Sequence, residues 1–213
     1  MRTVSTLDTF RSRYSGIGFE RGGLFRLLRE EFRPDEVLYP GCSIHITPAC
    51  WFPRVVFVDK DPAAAEFFSR RAEILEFLRR NRIYRRIPDI RFIHQSFTDP
   101  IPVRRSEFDL LLSLFTGGVA KSCHPYLKSG GLLLTDGFHG DAADAVRTGV
   151  FEPAAAIAFR KGKYAWTDWP EGRMQNPPAG AGRTRRYLVR SADGLTFRDE
   201  ETYLLFRKAA RRR

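Results

Sequence analysis

The residues able to do chemistry stand just after short apolar runs. Val37-Leu38-Tyr39-Pro40 leads into Gly41-Cys42-Ser43-Ile44-His45. A glycine there lets the backbone turn sharply and come close to a ligand. The next apolar run ends at Asp59. An acid in that place accepts hydrogen bonds from both hydroxyls of a ribose, or else caps the helix that follows. Asp61, directly before Pro62, is the better cap. Ser96-Phe97, Ser113 to Thr116, and Asp136 to His139 close three further runs. His139 is the natural general-base candidate, because a neutral imidazole takes a proton near neutral pH. His45 is a second candidate, although a loop histidine also serves structural ends, and His94 falls inside a run and reads as core or sheet face. Cys42, His45, Cys50, Cys123 and His124 offer five metal donors, but their spacing matches no standard zinc signature, so no metal is expected.

The elements that must position these residues follow from periodicity. Phe19, Leu24, Leu27, Leu28 and Phe32 fall at near-helical spacing. Residues 36–41, 54–61, 90–97, 108–115 and 132–136 read as strands. Between them, 62–80 reads as one helix, with Ala64, Phe67, Phe68, Leu75 and Leu78 as its apolar stripe. A second helix through 120–127 should break at Ser129-Gly130-Gly131. Strands alternating with helices imply an α/β, doubly wound, mostly parallel sheet with helices on both faces. Ligands of such sheets sit beyond the carboxyl ends of the strands, where the candidate residues stand. After residue 150 the pattern offers three candidate strands, 164–169, 185–190 and 202–208, two of which should complete the sheet. The Pro/Gly-rich stretch 170–184 reads as an inserted loop, and Ala192-Asp193-Gly194 suits a hairpin turn at the sheet edge.

Composition bounds the rest. The chain has 213 residues, 43% of them hydrophobic, enough for one domain spanning 1–213 with its own core. No apolar run is long enough to cross a membrane, and the N-terminus has no secretory pattern. Three cysteines argue against a disulfide framework and for a reducing, cytoplasmic setting. The net charge of +11 favours association with polyanions. Arg79, Arg80, Arg82, Arg85, Arg86 and Arg91, however, precede the third strand and belong at the end of the sheet away from the crevice. If the last strand runs antiparallel, the tail from Arg207 to Arg213 also emerges on that side, whereas the basic stretch 160–190 could lie beside the crevice.

Several of these segments together resemble a family. Tyr126-Leu127-Lys128-Ser129-Gly130-Gly131 followed by Leu132 to Asp136 is similar to the helix end, glycine turn and fifth strand of the class I S-adenosylmethionine (SAM)-dependent methyltransferases. Val55 to Pro62, Arg91 to Phe97 and Phe108 to Leu114 resemble that family's second, third and fourth strands, so that the likeness spans roughly 19–150. The resemblance implies a seven-stranded sheet and a SAM site lined by Gly41, Cys42, Ser43, Asp59, Lys60, Ser96, Phe97 and Ser113. In it Asp59 holds the ribose, and Ser96 and Phe97 flank the adenine. The first motif departs from the family: Tyr39 replaces an acid, only the first of three glycines is kept, and Ser96 stands where many members have Asp. A magnesium site would need carboxylates after both the fourth and fifth strands, and Asp136 is the only one. Asn176-Pro177-Pro178 is similar to an amine-gripping motif but is followed by Ala179 and lies far from the fourth strand. The expected function is SAM-dependent methyl transfer to a small-molecule acceptor. The alternative is a non-catalytic module of the same fold that binds RNA, a nucleic-acid partner, through 160–190.

Overall fold

A computed structural model describes residues 6–15, 20–136, 139–170, 188–191, 194–197 and 200–210. In chain order the strands are β1 (Glu36–Pro40), β2 (Arg54–Asp59), β3 (Asp89–His94), β4 (Phe108–Ser113), β5 (Leu127–Thr135), β6 (Phe151–Arg160), β7 (Lys163–Thr167), β8 (Leu188–Ser191), β9 (Gly194–Phe197) and β10 (Glu200–Lys208). The helices are α1 (Thr6–Arg13), α2 (Gly22–Phe32), α3 (Pro48–Trp51), α4 (Pro62–Ser69), α5 (Arg71–Asn81), α6 (Val119–Cys123) and α7 (Asp141–Thr148). Eight strands form the main sheet in the order β3-β2-β1-β4-β5-β10-β6-β7. Strands β1 to β5 pair in parallel. Strand β10 runs antiparallel to β5 and β6, and β7 antiparallel to β6.

Because successive side chains of a strand point to opposite faces, each central strand feeds two cores. Val37, Tyr39, Val55, Phe57, Leu110, Leu112 and Tyr203 join Phe10, Leu24, Phe25, Leu28, Phe67 and Ile74 on one face. Leu38, Val56, Val58, Leu111, Leu133 and Phe206 join Val119, Ala120, Cys123 and Ala145 on the other. This is the expected α/β arrangement with both faces covered.

The structure corrects the sequence reading in three places. The sheet has eight strands and is mixed, rather than seven and mostly parallel. The added strand is β6, whose Ala-rich centre has low strand propensity but is paired on both sides, so that tertiary context decides. Of the three candidate C-terminal strands, two enter the sheet, as β7 at its edge and β10 in its interior. The third, as β8, pairs with β9 in a separate two-stranded ribbon. The 62–80 helix is two helices meeting at Arg70, where ψ is 47°; Asp61 caps the first by accepting from the Ala63 N–H at 2.9 Å. Helix α6 ends at Cys123, Pro125 sits in the 3-10 turn that follows it, and Ser129-Gly130-Gly131 lies inside β5 instead of before it. No helix among the described residues is long and apolar enough to cross a membrane.

Two polar devices fix the ends of the sheet. At the amino end, Arg54 meets Glu36, Glu107 and Asp89 at 2.9, 3.0 and 3.4 Å, and Arg79 and Arg80 both pair with Glu76. At the carboxyl end, the fully buried Asp141 accepts from the Ser113 hydroxyl and from the N–H groups of Val119 and Ala120, at 3.2 and 3.3 Å. It thereby caps α6 from α7. Removing that carboxylate strands the Val119 and Ala120 N–H groups, while the Ser113 hydroxyl keeps the Thr116 carbonyl, and an unsatisfied buried group costs about 1–3 kcal/mol. Asp141→Ala is therefore expected to lower stability by about 2–3 kcal/mol, read as a fall of roughly 5–10 °C in the thermal midpoint. A midpoint unchanged from wild type would show that α6 does not depend on this cap.

Candidate functional site

Asp59 ends β2 half-buried, and its carboxylate joins two pieces of backbone. One oxygen accepts from the Ser43 N–H at 2.7 Å and the other from the Asp61 N–H at 2.9 Å. Each oxygen keeps acceptor capacity beyond that bond, since a carboxylate offers about four lone-pair sites. Ser43 has φ 47°, an uncommon value for a residue with a side chain, and its hydroxyl accepts from the Arg13 guanidinium at 3.3 Å. Gly41 has φ +64°, and a Cβ on it would come 2.9 Å from the Thr116 side chain, so the first loop and the loop after β4 touch there. Lys60 is exposed. Ser96 and Phe97 are half-buried just after Gln95, whose N–H donates to the Asp59 carbonyl at 3.1 Å.

The interior of the first loop is filled by the chain itself. Tyr39 is buried, with its hydroxyl 3.1 Å from His45 Nδ1, while His45 Nε2 faces the Glu20 carbonyl at 3.3 Å. The imidazole stacks on Tyr14 with centroids 4.6 Å apart. Burial, reinforced by the positive charge of Arg21, pushes the His45 pKa down to about 3. With both ring nitrogens engaged and the ring fully buried, His45 has a structural role. Burial likewise raises the Cys42 thiol well above its ordinary value.

Beyond β4 and β5, Ser113 is fully buried, its hydroxyl held by Asp141 and the Thr116 carbonyl. Phe115 has φ 58°, and its N–H donates to Asp136 at 2.7 Å. His139 is half-buried against Gly117, where any Cβ would lie 2.5 Å from the His139 carbonyl oxygen. Burial lowers the His139 pKa below the usual imidazole value. Gly41 thus meets Thr116, Gly117 meets His139, and Ser43 and Gln95 are tied to Asp59, all beyond the carboxyl ends of the parallel strands, while Cys42 and Ser113 are buried. Among the described residues, no three His, Cys, Asp or Glu side chains gather to hold a metal ion.

The sequence reading missed a second group at the same end of the sheet. Arg21, 2% exposed and with φ 55°, lies over the Phe115 ring at 4.4 Å and donates from Nε to the Tyr203 hydroxyl at 2.9 Å. The Tyr203 hydroxyl in turn donates to Glu201. Burial alone would favour loss of the Arg21 charge, but Tyr203, Glu201 and Tyr39 together raise its pKa above the ordinary value. The available signal was Glu201-Thr202-Tyr203-Leu204-Leu205, whose alternation puts a carboxylate on the buried face of a strand. Tyr164 packs against Tyr203 at 6.0 Å, while Trp166 and Trp169 pack on Phe32 and Phe206. Of the basic 160–190 stretch, Arg160, Lys161 and Lys163 are exposed at the turn between β6 and β7; Arg173, Arg183, Arg185 and Arg186 lie outside the described residues, as does Asn176.

No protein-family model matches the sequence, and no curated protein matches it. Solved structures do. The N-methyltransferase NodS from Bradyrhizobium japonicum WM9 matches with a TM-score of 0.52 at 14% identity, over 92% of this chain and 98% of that one. NodS in complex with S-adenosyl-L-homocysteine (SAH) matches with a TM-score of 0.50 at 12% identity, over 90% and 87%. Geranyl diphosphate methyltransferase in complex with SAM matches with a TM-score of 0.52 at 14% identity, over 91% of each chain. The chain has the class I methyltransferase fold. Within that methyltransferase fold the expected crevice residues occupy the carboxyl end of the sheet, while the position of the family acid is taken by the buried Tyr39–His45 pair.

That pair has a measurable signature. The His45 pKa is about 3 folded against an ordinary 6.5, so its contribution to stability is complete above about 6.5 and is lost as the pH falls toward 3. One such proton gives a slope of about 1.4 kcal/mol per pH unit. Urea denaturation of the wild type across this window should show that component, and His45→Gln should lack it. Equal slopes in the two proteins would mean that His45 is protonated in the native state.

Proposed function

We propose that the protein is a SAM-dependent methyltransferase acting on a small-molecule acceptor. The observation that carries this is Asp59: a carboxylate at the end of β2, clamped by two backbone N–H groups, with acceptor capacity left toward the crevice. Two solved structures of the same fold hold SAM and SAH.

The residues present fit such a cofactor, by a different distribution of charge. Asp59 would take the ribose hydroxyls, with Ser96 and Phe97 beside the base and Lys60 at the rim. Gly41 and Ser43 would face the cofactor, and Cys42 and Ser113 would form the floor. At the amino-acid end, the Arg13 guanidinium already lies against Ser43 and would meet a carboxylate. Tyr39 supplies no charge there, since burial raises its pKa well above the ordinary phenol value. When bound, SAM supplies a methyl group activated by a positively charged sulfur. What the chain contributes is placement of a nucleophile and removal of its proton. His139 is suited to removing that proton, because burial lowers its pKa and leaves the imidazole neutral and able to accept one. Cys42, Cys50 and Cys123 are free and buried, which suits a reducing compartment.

Isothermal calorimetry with SAM and SAH tests the cofactor, and micromolar binding is expected. Asp59→Ala should weaken it by about ten-fold or more, because a lost hydrogen bond to a charged group costs about 1.5–3 kcal/mol. Unchanged affinity in that variant would remove Asp59 from the site. His139→Ala should lower turnover while sparing SAH affinity; a fully active variant would end the assignment of the base.

A further inference from the structure

The Arg21–Tyr203–Glu201 group is left unused by the cofactor reading, yet it is built like a binding site. Its three side chains are buried where the N-terminal end of β10 meets the carboxyl ends of the parallel strands. Hydrogen bonds run in one direction, from Arg21 Nε to the Tyr203 hydroxyl and from that hydroxyl to Glu201 Oε2. The second carboxylate oxygen, Glu201 Oε1, is buried with no hydrogen-bond partner among the described residues. A buried carboxylate oxygen without a donor is costly, and such a group in a native site calls for a ligand or an ordered water. The backbone shows the same bias. Arg21 and Phe115, which touch each other, both adopt positive φ, and strain of this kind gathers where a site has to be held.

From this geometry we infer that Glu201 binds the methyl acceptor and that the acceptor is an amine, whose N–H donates to Oε1. The class follows from what surrounds that oxygen. A carboxylate receives only donors, so an anionic acceptor is repelled from it. Phe115 and Tyr203 line this group, with the Arg21 guanidinium carbon 4.4 and 5.9 Å from their ring centroids. Tyr164 extends that aromatic wall beside Tyr203. A carboxylate accepts from an ammonium or amine better than from a neutral hydroxyl, because a charge-assisted bond is the stronger one. Arg21 then acts as a positioning residue: through Tyr203 it holds Glu201 Oε2, leaving Oε1 for the ligand.

This assignment rests on the methyltransferase reading, and one experiment separates the two. The full chain is titrated with benzylamine, benzyl alcohol and benzoate, followed by ligand-observed NMR, with and without SAH; the SAH isotherm is recorded on the same samples. Benzylamine should bind at millimolar concentrations or below, benzyl alcohol more weakly, and benzoate not at all. Glu201→Gln keeps an acceptor for the Tyr203 hydroxyl and should weaken benzylamine about ten-fold or more while leaving SAH affinity unchanged. Tyr203→Phe keeps the carboxylate and should retain the preference for amine over benzoate. The assignment is overturned if benzoate binds best, which would make Arg21 the receiving group. It is equally overturned if benzylamine fails to bind or if Glu201→Gln binds it as well as wild type. SAH binding without the amine preference removes Glu201 alone. The amine preference without SAH binding keeps Glu201 and removes the cofactor reading.

Discussion

Five parallel strands with both faces covered by helices leave little room for polar chemistry except at their ends. The apolar side chains at the centres of β1, β2, β4 and β5 are divided between the two cores. Charge is therefore forced to the two rims, and the rims divide the work. The amino rim ties strand starts together through Arg54 and its three carboxylate partners. Such exposed pairs add little stability each, but they absorb cations that would otherwise repel one another. The carboxyl rim keeps its charges apart and partly unsolvated, as a binding crevice requires.

Two carboxylates organise that crevice in different ways. Asp59 works on backbone: by holding the Ser43 and Asp61 N–H groups it fixes the path of the first loop and the start of α4 at once. Glu201 works on side chains, through Tyr203 and Arg21. Between them lies a neutral wall of Tyr39, His45 and Tyr14. Burial keeps this wall neutral, and Asp136, which lies between the two flanks in the strand order, is held by the Phe115 N–H. A buried phenol and imidazole bonded to each other avoid the desolvation penalty of an isolated acid in the same place.

The sequence revealed the parallel half of the fold because β1 to β5 are apolar runs bounded by prolines and glycines. Asp59 and Asp61 could be separated by their relation to Pro62, and the Asp61 cap is found as expected. What could not be read was set by partners distant along the chain. Strand β6 is Ala-rich and becomes a strand only between β10 and β7. His45 reads from sequence as either a second base candidate or a structural loop histidine, and nothing near it in sequence announces Tyr14 as its stacking partner. Arg21 and Tyr203 are 182 residues apart, and neither stands in a motif. Spacing locates residues that belong to one turn or one strand end, while groups assembled across the sheet appear only once the strand order is known.

The outer strands carry a consequence for how the molecule behaves in a crowded solution. A sheet edge exposes a row of unpaired backbone groups that can recruit a strand from another chain. Here the edge strands are β3 and β7, with six and five residues. On β3 the exposed positions are Asp89, Arg91 and His94; β7 opens with Lys163, next to exposed Lys161 and Arg160. The hydrophilic, mostly charged β3 edge is a poor template for a further strand, whereas β7, though short, also exposes Ala165, Trp166 and Thr167. A sheet this apolar at its centre is thereby kept from growing sideways at its β3 edge.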